Sequence, residues 1–335
     1  VNRPVLVVSP VFHDYWRALE AAFVHLGDSV VVHRYDDTAG AVRLRDAVGH
    51  RLPRTRIRAW SRRAETDRAI RALRETRPRA VLVVKGDSLG EAWWEAVLSS
   101  GAPVVLWLYD ELRNMTFGLE RLRELAASAV SVASYSPRDV ATLAGAGVAA
   151  TLLPDAFDSL LGFTPRPSSA VTFIGARYPE RERVLRGLAE SGVEVEVFGR
   201  QWSRHPADVV RTGRLRGPGV RAHRDIPRSA YYGAMAGSVA TLAIHGDGHG
   251  GLSMRAFEAP GVGALALIDR PEVADYYDVG SEVLVFDGRD QLVEHVRHAQ
   301  ADPAWARGVR RAAAERTRAE HTFVHRMRAV SALWA

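Results

Sequence analysis

Short, almost uninterrupted apolar runs alternate with amphipathic segments along the chain, and this alternation most restricts the fold. Residues 4–10, 29–35, 80–85, 103–109, 128–134 and 149–153 are strand-like runs of Val, Leu and Ala. Without polar alternation, such runs mark strands covered on both faces, as in a parallel sheet. Between them, 15–26 (closed by Gly27), 62–75, 90–99 and 137–144 carry helical patterning. Strand–helix alternation of this kind predicts a doubly wound α/β fold. Around 161–169 it breaks into Leu-Gly-Phe-Thr-Pro-Arg-Pro-Ser-Ser and then restarts. Strands are expected at 170–174, 193–198, 222–225, 239–245, 264–268 and 283–286. Helices are expected at 181–190, 229–235, 252–259 and 271–277 and through most of the remainder. A chain of 335 residues is long for one core. The pattern predicts two Rossmann-like domains, 1–160 and 170–315, facing each other across a cleft, with a C-terminal helical segment at 316–335.

Composition excludes several classes. There is no cysteine, so disulfides, thiolate metal sites and cysteine nucleophiles are absent. No apolar run approaches the roughly 20 residues of a membrane helix. The first strand begins at once, so a cytoplasmic location without a membrane span is expected. The net charge is +6, yet Lys85 is the one lysine; every other of the 45 basic side chains is arginine. This usage resembles a high-GC, actinobacterial-like coding bias. The arginines are scattered among 39 acids rather than gathered in a stripe, which argues against nucleic acid and for small phosphate-bearing ligands.

In doubly wound sheets, ligands lie beyond the carboxyl ends of the strands. The richest such end is the run from His245 to Pro260, with Gly246, Gly248, Gly250 and Gly251 leading to Leu252, Ser253 and Arg255. Glycines let backbone approach a ligand, and N–H groups at a helix start attract phosphate. Arg255 offers a planar fork to a diphosphate. Glu258 has two oxygens for the two hydroxyls of a ribose. His245, Asp247 and His249 alternate as metal ligands can, but the glycine cradle already accounts for the loop, so no metal is expected. His249 stands with the ligand-binding loop, and His245 is a candidate to touch the sugar or leaving phosphate. A second strand end gives Gly175, Arg177 and Arg181, the arginines either reaching phosphate or lying on a solvated helix face. A third gives Gly199, Arg200 and Trp202, near a base or simply packed.

The N-terminal half lacks a dinucleotide Gly-x-Gly-x-x-Gly, a P-loop and a Gly-x-Ser-x-Gly elbow. His13, Asp87 and Asp110 follow its strands and are candidates to hold an acceptor hydroxyl; His13 and Asp110 join His245 as the catalytic candidates.

The second half, about 170–328, resembles the spore-maturation-type (CgeB-like) glycosyltransferases, relatives of retaining GT-B enzymes. The residues carrying the resemblance are Phe173-Ile174-Gly175 with Arg181, Phe198-Gly199-Arg200-Gln201-Trp202, the run from Ser253 to Ala264, and His321 to Met327. Trp107-Leu108-Tyr109-Asp110 and Leu153-Pro154-Asp155-Ala156 extend it more faintly. The resemblance implies the GT-B fold and transfer of a sugar from a UDP-, GDP- or dTDP-sugar to a small-molecule or polymer acceptor. It also implies no cofactor and retention of configuration. Glu258 matches the second glutamate of the family's Glu-x7-Glu pattern; the first would fall at Gly250, where this chain departs. Arg177 and Arg181 map imperfectly onto the family's phosphate-binding pair. A sugar-nucleotide 2-epimerase and a non-catalytic nucleotide-sugar sensor are the alternatives. Finally, Phe323, Met327, Val330 and Trp334 share one helical face. That stripe predicts a tail packed on the first domain, coupling the halves.

Overall fold

The computed structural model describes residues 3–37, 56–203, 205, 206, 209, 217–246 and 250–334. The chain divides into two compact units, Val1–Pro154 with Phe323–Ala335, and Asp155–Thr322. Both are doubly wound α/β sheets, and together they make the two-domain, Rossmann-like GT-B fold.

Among the described residues, unit 1 has six parallel strands, β1 (Val5–Ser9), β2 (Val30–Arg34), β3 (Ala80–Val84), β4 (Val104–Leu108), β5 (Val130–Ser134) and β6 (Ala150–Leu152), in the order β2-β1-β3-β4-β5-β6. Every residue of β1, β3 and β4 is buried, as uninterrupted apolar runs require. The helices are α1 (Tyr15–His25), α2 (Arg56–Thr76), α3 (Glu91–Ser99), α4 (Leu119–Ala127) and α5 (Pro137–Gly145). In α1, Tyr15, Trp16, Ala18, Leu19, Ala22 and Phe23 form the buried face. It ends where Gly27 turns left-handed (φ +91°) and Asp28 N–H reaches the Phe23 carbonyl at 3.0 Å. Ser136 caps α5 by accepting from Asp139 N–H (3.2 Å), with Pro137 at the first turn.

The C-terminal helix, Phe323–Ala332, belongs to this unit. Phe323 lies 6.0 Å from the Tyr15 ring, and Trp334 stacks on Phe23 at 5.6 Å. Arg326 Nε fixes the helix to the Pro154 carbonyl at 2.9 Å.

Unit 2, among the described residues, also has six parallel strands: β7 (Val171–Ile174), β8 (Val195–Phe198), β9 (Arg221–His223), β10 (Ala240–Ala243), β11 (Ala266–Ile268) and β12 (Leu284–Val285). Their order is β12-β11-β10-β7-β8-β9. Its helices are α6 (Pro179–Glu190), α7 (Arg228–Gly237), α8 (Arg255–Gly261), α9 (Arg289–Ala301) and α10 (Pro303–Glu320). Residues 161–169, the linker expected from composition, lie inside this unit. Arg166 and Ser168 N–H bond the carbonyls of Gly233 and Gly237 in α7, at 2.8 and 2.9 Å. The proline-rich run is therefore a strap on α7, and the division falls at Pro154–Asp155.

Strand order reverses between β1 and β3 in unit 1 and between β7 and β10 in unit 2. At a reversal, successive crossovers leave on opposite faces and open a crevice at the carboxyl ends. Those two places are where ligand chemistry is to be sought.

Candidate functional site

At the reversal in unit 2, two arginines meet. Arg181, on the first turn of α6 after β7, donates from Nε to the Ile244 carbonyl beyond β10 at 2.9 Å. Arg255, opening α8 after β10, donates from Nε to the Ile174 carbonyl at the end of β7 at 3.2 Å. The Arg181 guanidinium lies over the rings of Tyr178 (4.9 Å) and Phe173 (5.5 Å); that of Arg255 lies over Tyr231 (4.6 Å). Burial lowers the pKa of Arg181, and the neighbouring charge of Arg255 lowers it further. Gly175 makes room for this arrangement: a Cβ there would sit 3.3 Å from Arg181 Nη1 and 2.9 Å from the Phe173 ring.

Glu258 is fully buried beneath Arg255. Its Oε2 is ion-paired to Arg255 Nη1, and its Oε1 accepts from the hydroxyls of Tyr231 (3.0 Å) and Tyr232 (3.2 Å). Both oxygens that the sequence reading offers to a ribose are thus engaged by the protein.

His245 has no side-chain exposure, and both ring nitrogens are engaged. Nε2 accepts from Ser253 N–H at 2.9 Å, so the Nδ1 proton faces Asp269 Oδ1 at 2.6 Å. This corrects the expectation that His245 contacts sugar or phosphate: the ring joins the glycine loop to the sheet. It also takes up one N–H of the turn before α8 expected to face an anion. Asp269 Oδ2 accepts from the N–H groups of His245 (2.8 Å) and Gly246 (3.3 Å), and Arg270 donates to the Gly246 carbonyl. Burial pushes the Asp269 carboxyl up, but its bonds to His245 and these amides outweigh burial and hold it below its usual value. Asp269 and Arg270 were not singled out in the sequence, although Ile268-Asp269-Arg270 is a strand end like the others. Asp247 and His249 lie outside the described residues. Gly250, Gly251 and Leu252 follow them, with Leu252 buried. Among the described residues no cluster of three potential metal ligands occurs.

Arg177 is buried and bidentate to Glu182, at 2.9 and 2.7 Å, so its fork is occupied by protein. Gly199 serves the backbone: at φ +145°, a Cβ would come within 2.1 Å of the Gly175 carbonyl oxygen. Trp202 is buried and donates to that same oxygen at 2.7 Å, which makes it core rather than a base platform. Arg200 is exposed, and its carbonyl accepts from Arg177 N–H at 3.2 Å.

Unit 1 gathers strain at its own reversal. His13 and Asp14, after β1, and Lys85, after β3, all adopt left-handed backbone (φ 46°, 56° and 64°). Such conformations cost non-glycine residues energy and cluster at functional sites. Lys85 Nζ pairs with Asp110 Oδ2 at 3.0 Å. Asp110 Oδ1 accepts from Glu111 N–H (2.9 Å) and Asn114 Nδ2 (3.2 Å). Asp87 Oδ2 instead accepts from Thr116 N–H at 3.2 Å, bracing the loop after β4. His13 is half-buried, its ring edge-on to Phe12 at 4.4 Å.

Residues 178–332 match the protein family described as glycosyl transferase-like. The matched stretch is a little under half of the chain and lies in its C-terminal part. No curated protein matches it. Among solved structures, Anabaena Alr3699/HepE in complex with UDP-glucose aligns with TM-score 0.64 and 12% identity over 98% of this chain and 99% of that one. AviGT4, a glycosyltransferase involved in avilamycin A biosynthesis, aligns with TM-score 0.62 and 14% identity over 99% and 97%. A putative UDP-N-acetylglucosamine 2-epimerase from Listeria monocytogenes gives 0.60 and 13% over 99% and 96%. At these identities the likeness bears on the fold. Among the described residues, no helix of this chain is long and apolar enough to cross a membrane.

Proposed function

We propose that this chain is a glycosyltransferase that moves a sugar from a nucleoside-diphosphate sugar to a hydroxyl or amine acceptor, using arginine rather than a metal to stabilise the leaving group. The observation that carries this reading is the convergence of Arg181 and Arg255 on the strand-order reversal of unit 2. Two guanidiniums held together repel, and a diphosphate relieves that repulsion. As the glycosidic bond breaks, the nucleoside diphosphate gains negative charge. Cations already fixed in place stabilise that change without reorganising. Gly250, Gly251 and Ser253 complete the donor loop beside them.

The UDP- and sugar-nucleotide-related neighbours support a nucleotide-sugar donor, with base and sugar left open among UDP, GDP and dTDP. We assign the acceptor to the strained carboxyl edge of unit 1, with His13 and the Lys85–Asp110 pair as its polar groups. Closer kinship to the CgeB-like branch, and with it retention of configuration, rests on the run from Ser253 to Ala264 and the tail from His321 to Met327.

The test is incubation with UDP-, GDP- and dTDP-sugars, with and without a panel of acceptor glycosides, in the presence of EDTA. Nucleoside diphosphate released together with a new glycoside supports the proposal. An isomerised sugar formed without acceptor would assign a 2-epimerase instead. Binding without turnover would assign a sensor, and turnover that EDTA abolishes and a divalent ion restores would refute metal independence.

A further inference from the structure

We infer that Glu258 is a positioning residue that aims Arg255 at the donor diphosphate, rather than a ligand of the donor ribose. This rests on the donor site proposed above. A carboxylate that binds a diol must present its oxygens to the ligand. Glu258 has no solvent exposure, and its surroundings supply donors to both oxygens, among them the Tyr231 and Tyr232 hydroxyls on Oε1 and Arg255 on Oε2. A carboxylate has about four lone-pair positions, so this set nearly saturates it. The direction of one bond is fixed independently. The Tyr232 hydroxyl oxygen accepts from Asp158 N–H at 3.2 Å, which leaves its proton for Glu258.

Arg255 is held on three sides. Nε is tied to the Ile174 carbonyl, Nη1 to Glu258, and the guanidinium plane lies over the Tyr231 ring. Tyr231 therefore serves both partners, donating its hydroxyl to the carboxylate and its face to the cation. A free arginine side chain loses rotamer entropy when it grips a phosphate; one clamped in this way has already lost it. Removing the carboxylate should release Arg255 and expose it more strongly to the repulsion of Arg181, lowering affinity for phosphate and not for ribose.

The experiment is calorimetric binding of UDP and of 2′,3′-dideoxy-UDP, with GDP and dTDP as alternates. Wild type is compared with Glu258→Gln, Arg255→Gln, the double variant and Tyr231→Phe, each checked for folding by thermal unfolding. Glu258→Gln is expected to weaken UDP binding roughly tenfold or more. The ratio of UDP to dideoxy-UDP affinity should stay at the wild-type value. The double variant should bind no more weakly than Arg255→Gln alone, because the two side chains act as one unit. Tyr231→Phe should show a smaller loss with the same unchanged ratio, and it decides the matter if Glu258→Gln does not fold. If the affinity ratio collapses toward one in Glu258→Gln or Tyr231→Phe, or if the single losses add in the double variant, Glu258 is a ribose ligand and the inference is overturned. If wild type binds none of the three nucleotides, the donor reading itself fails first.

Discussion

Arg181 and Arg255 are crossed: each arises from the helix that follows one central strand of unit 2 and is anchored to the backbone at the end of the other. The crossing ties the two loops together through protein contacts, so the positive charge is preorganised. Arg181→Gln should therefore weaken UDP binding by about tenfold or more while changing uridine binding little. Titration calorimetry with both ligands checks this; equal losses for the two would place Arg181 away from the phosphates.

Lys85 should not tolerate the replacement that the rest of the chain favours. Lys85→Arg keeps the charge but exchanges a compact ammonium for a planar fork, on a left-handed residue facing Asp110. Transfer to an acceptor is expected to fall roughly tenfold, with nucleotide-sugar affinity unchanged. Transfer kinetics within twofold of wild type would remove Lys85 and Asp110 from the acceptor site.

Gly199→Ala should destabilise unit 2 by more than about 2 kcal/mol, since both the left-handed backbone and the contact with the Gly175 carbonyl forbid a Cβ. Urea unfolding measures this, and an alanine variant as stable as wild type would contradict the packing of the β7 and β8 ends.

His33 on β2 gives unit 1 an acid-sensitive element. Burial, joined by the positive charges of Arg68, Arg71 and Arg34, lowers its pKa from 6.5 to about 4. The folded state therefore favours the neutral ring. This contribution is fully present above the unfolded value of 6.5 and is lost as the pH falls toward about 4. His33→Gln should flatten the pH dependence of the unfolding temperature in that window; an unchanged slope would show that His33 is not its source.

The architecture was legible because parallel strands buried on both faces must be written as continuous apolar runs, as Val81-Leu82-Val83-Val84 is. Strand ends then pointed to Gly175, Arg181 and Arg255. What the chain did not disclose was which polar groups satisfy one another. Glu258 looks available until α7 is packed, because Tyr231 and Tyr232 arrive from a separate element with no sequence mark of their destination. His245 resembled a chemical group because a histidine at a strand end and one in a hydrogen-bonded strut look alike on paper; Asp269, after the next strand, makes the difference. Arg177 lost its assignment to a neighbour within its own segment, Glu182, once α6 set their spacing.

A chain that carries nearly all its positive charge on arginine is almost silent to amine-directed chemistry. Acylating reagents or reductive methylation with a carbon-13 label can reach one side-chain amine, that of Lys85, which is about a third exposed, besides the chain's terminal amine. The molecule thus carries a natural single-point spectroscopic handle at the carboxyl end of β3. Acceptor screening can be followed there by the shift of one resonance, with no engineered residue.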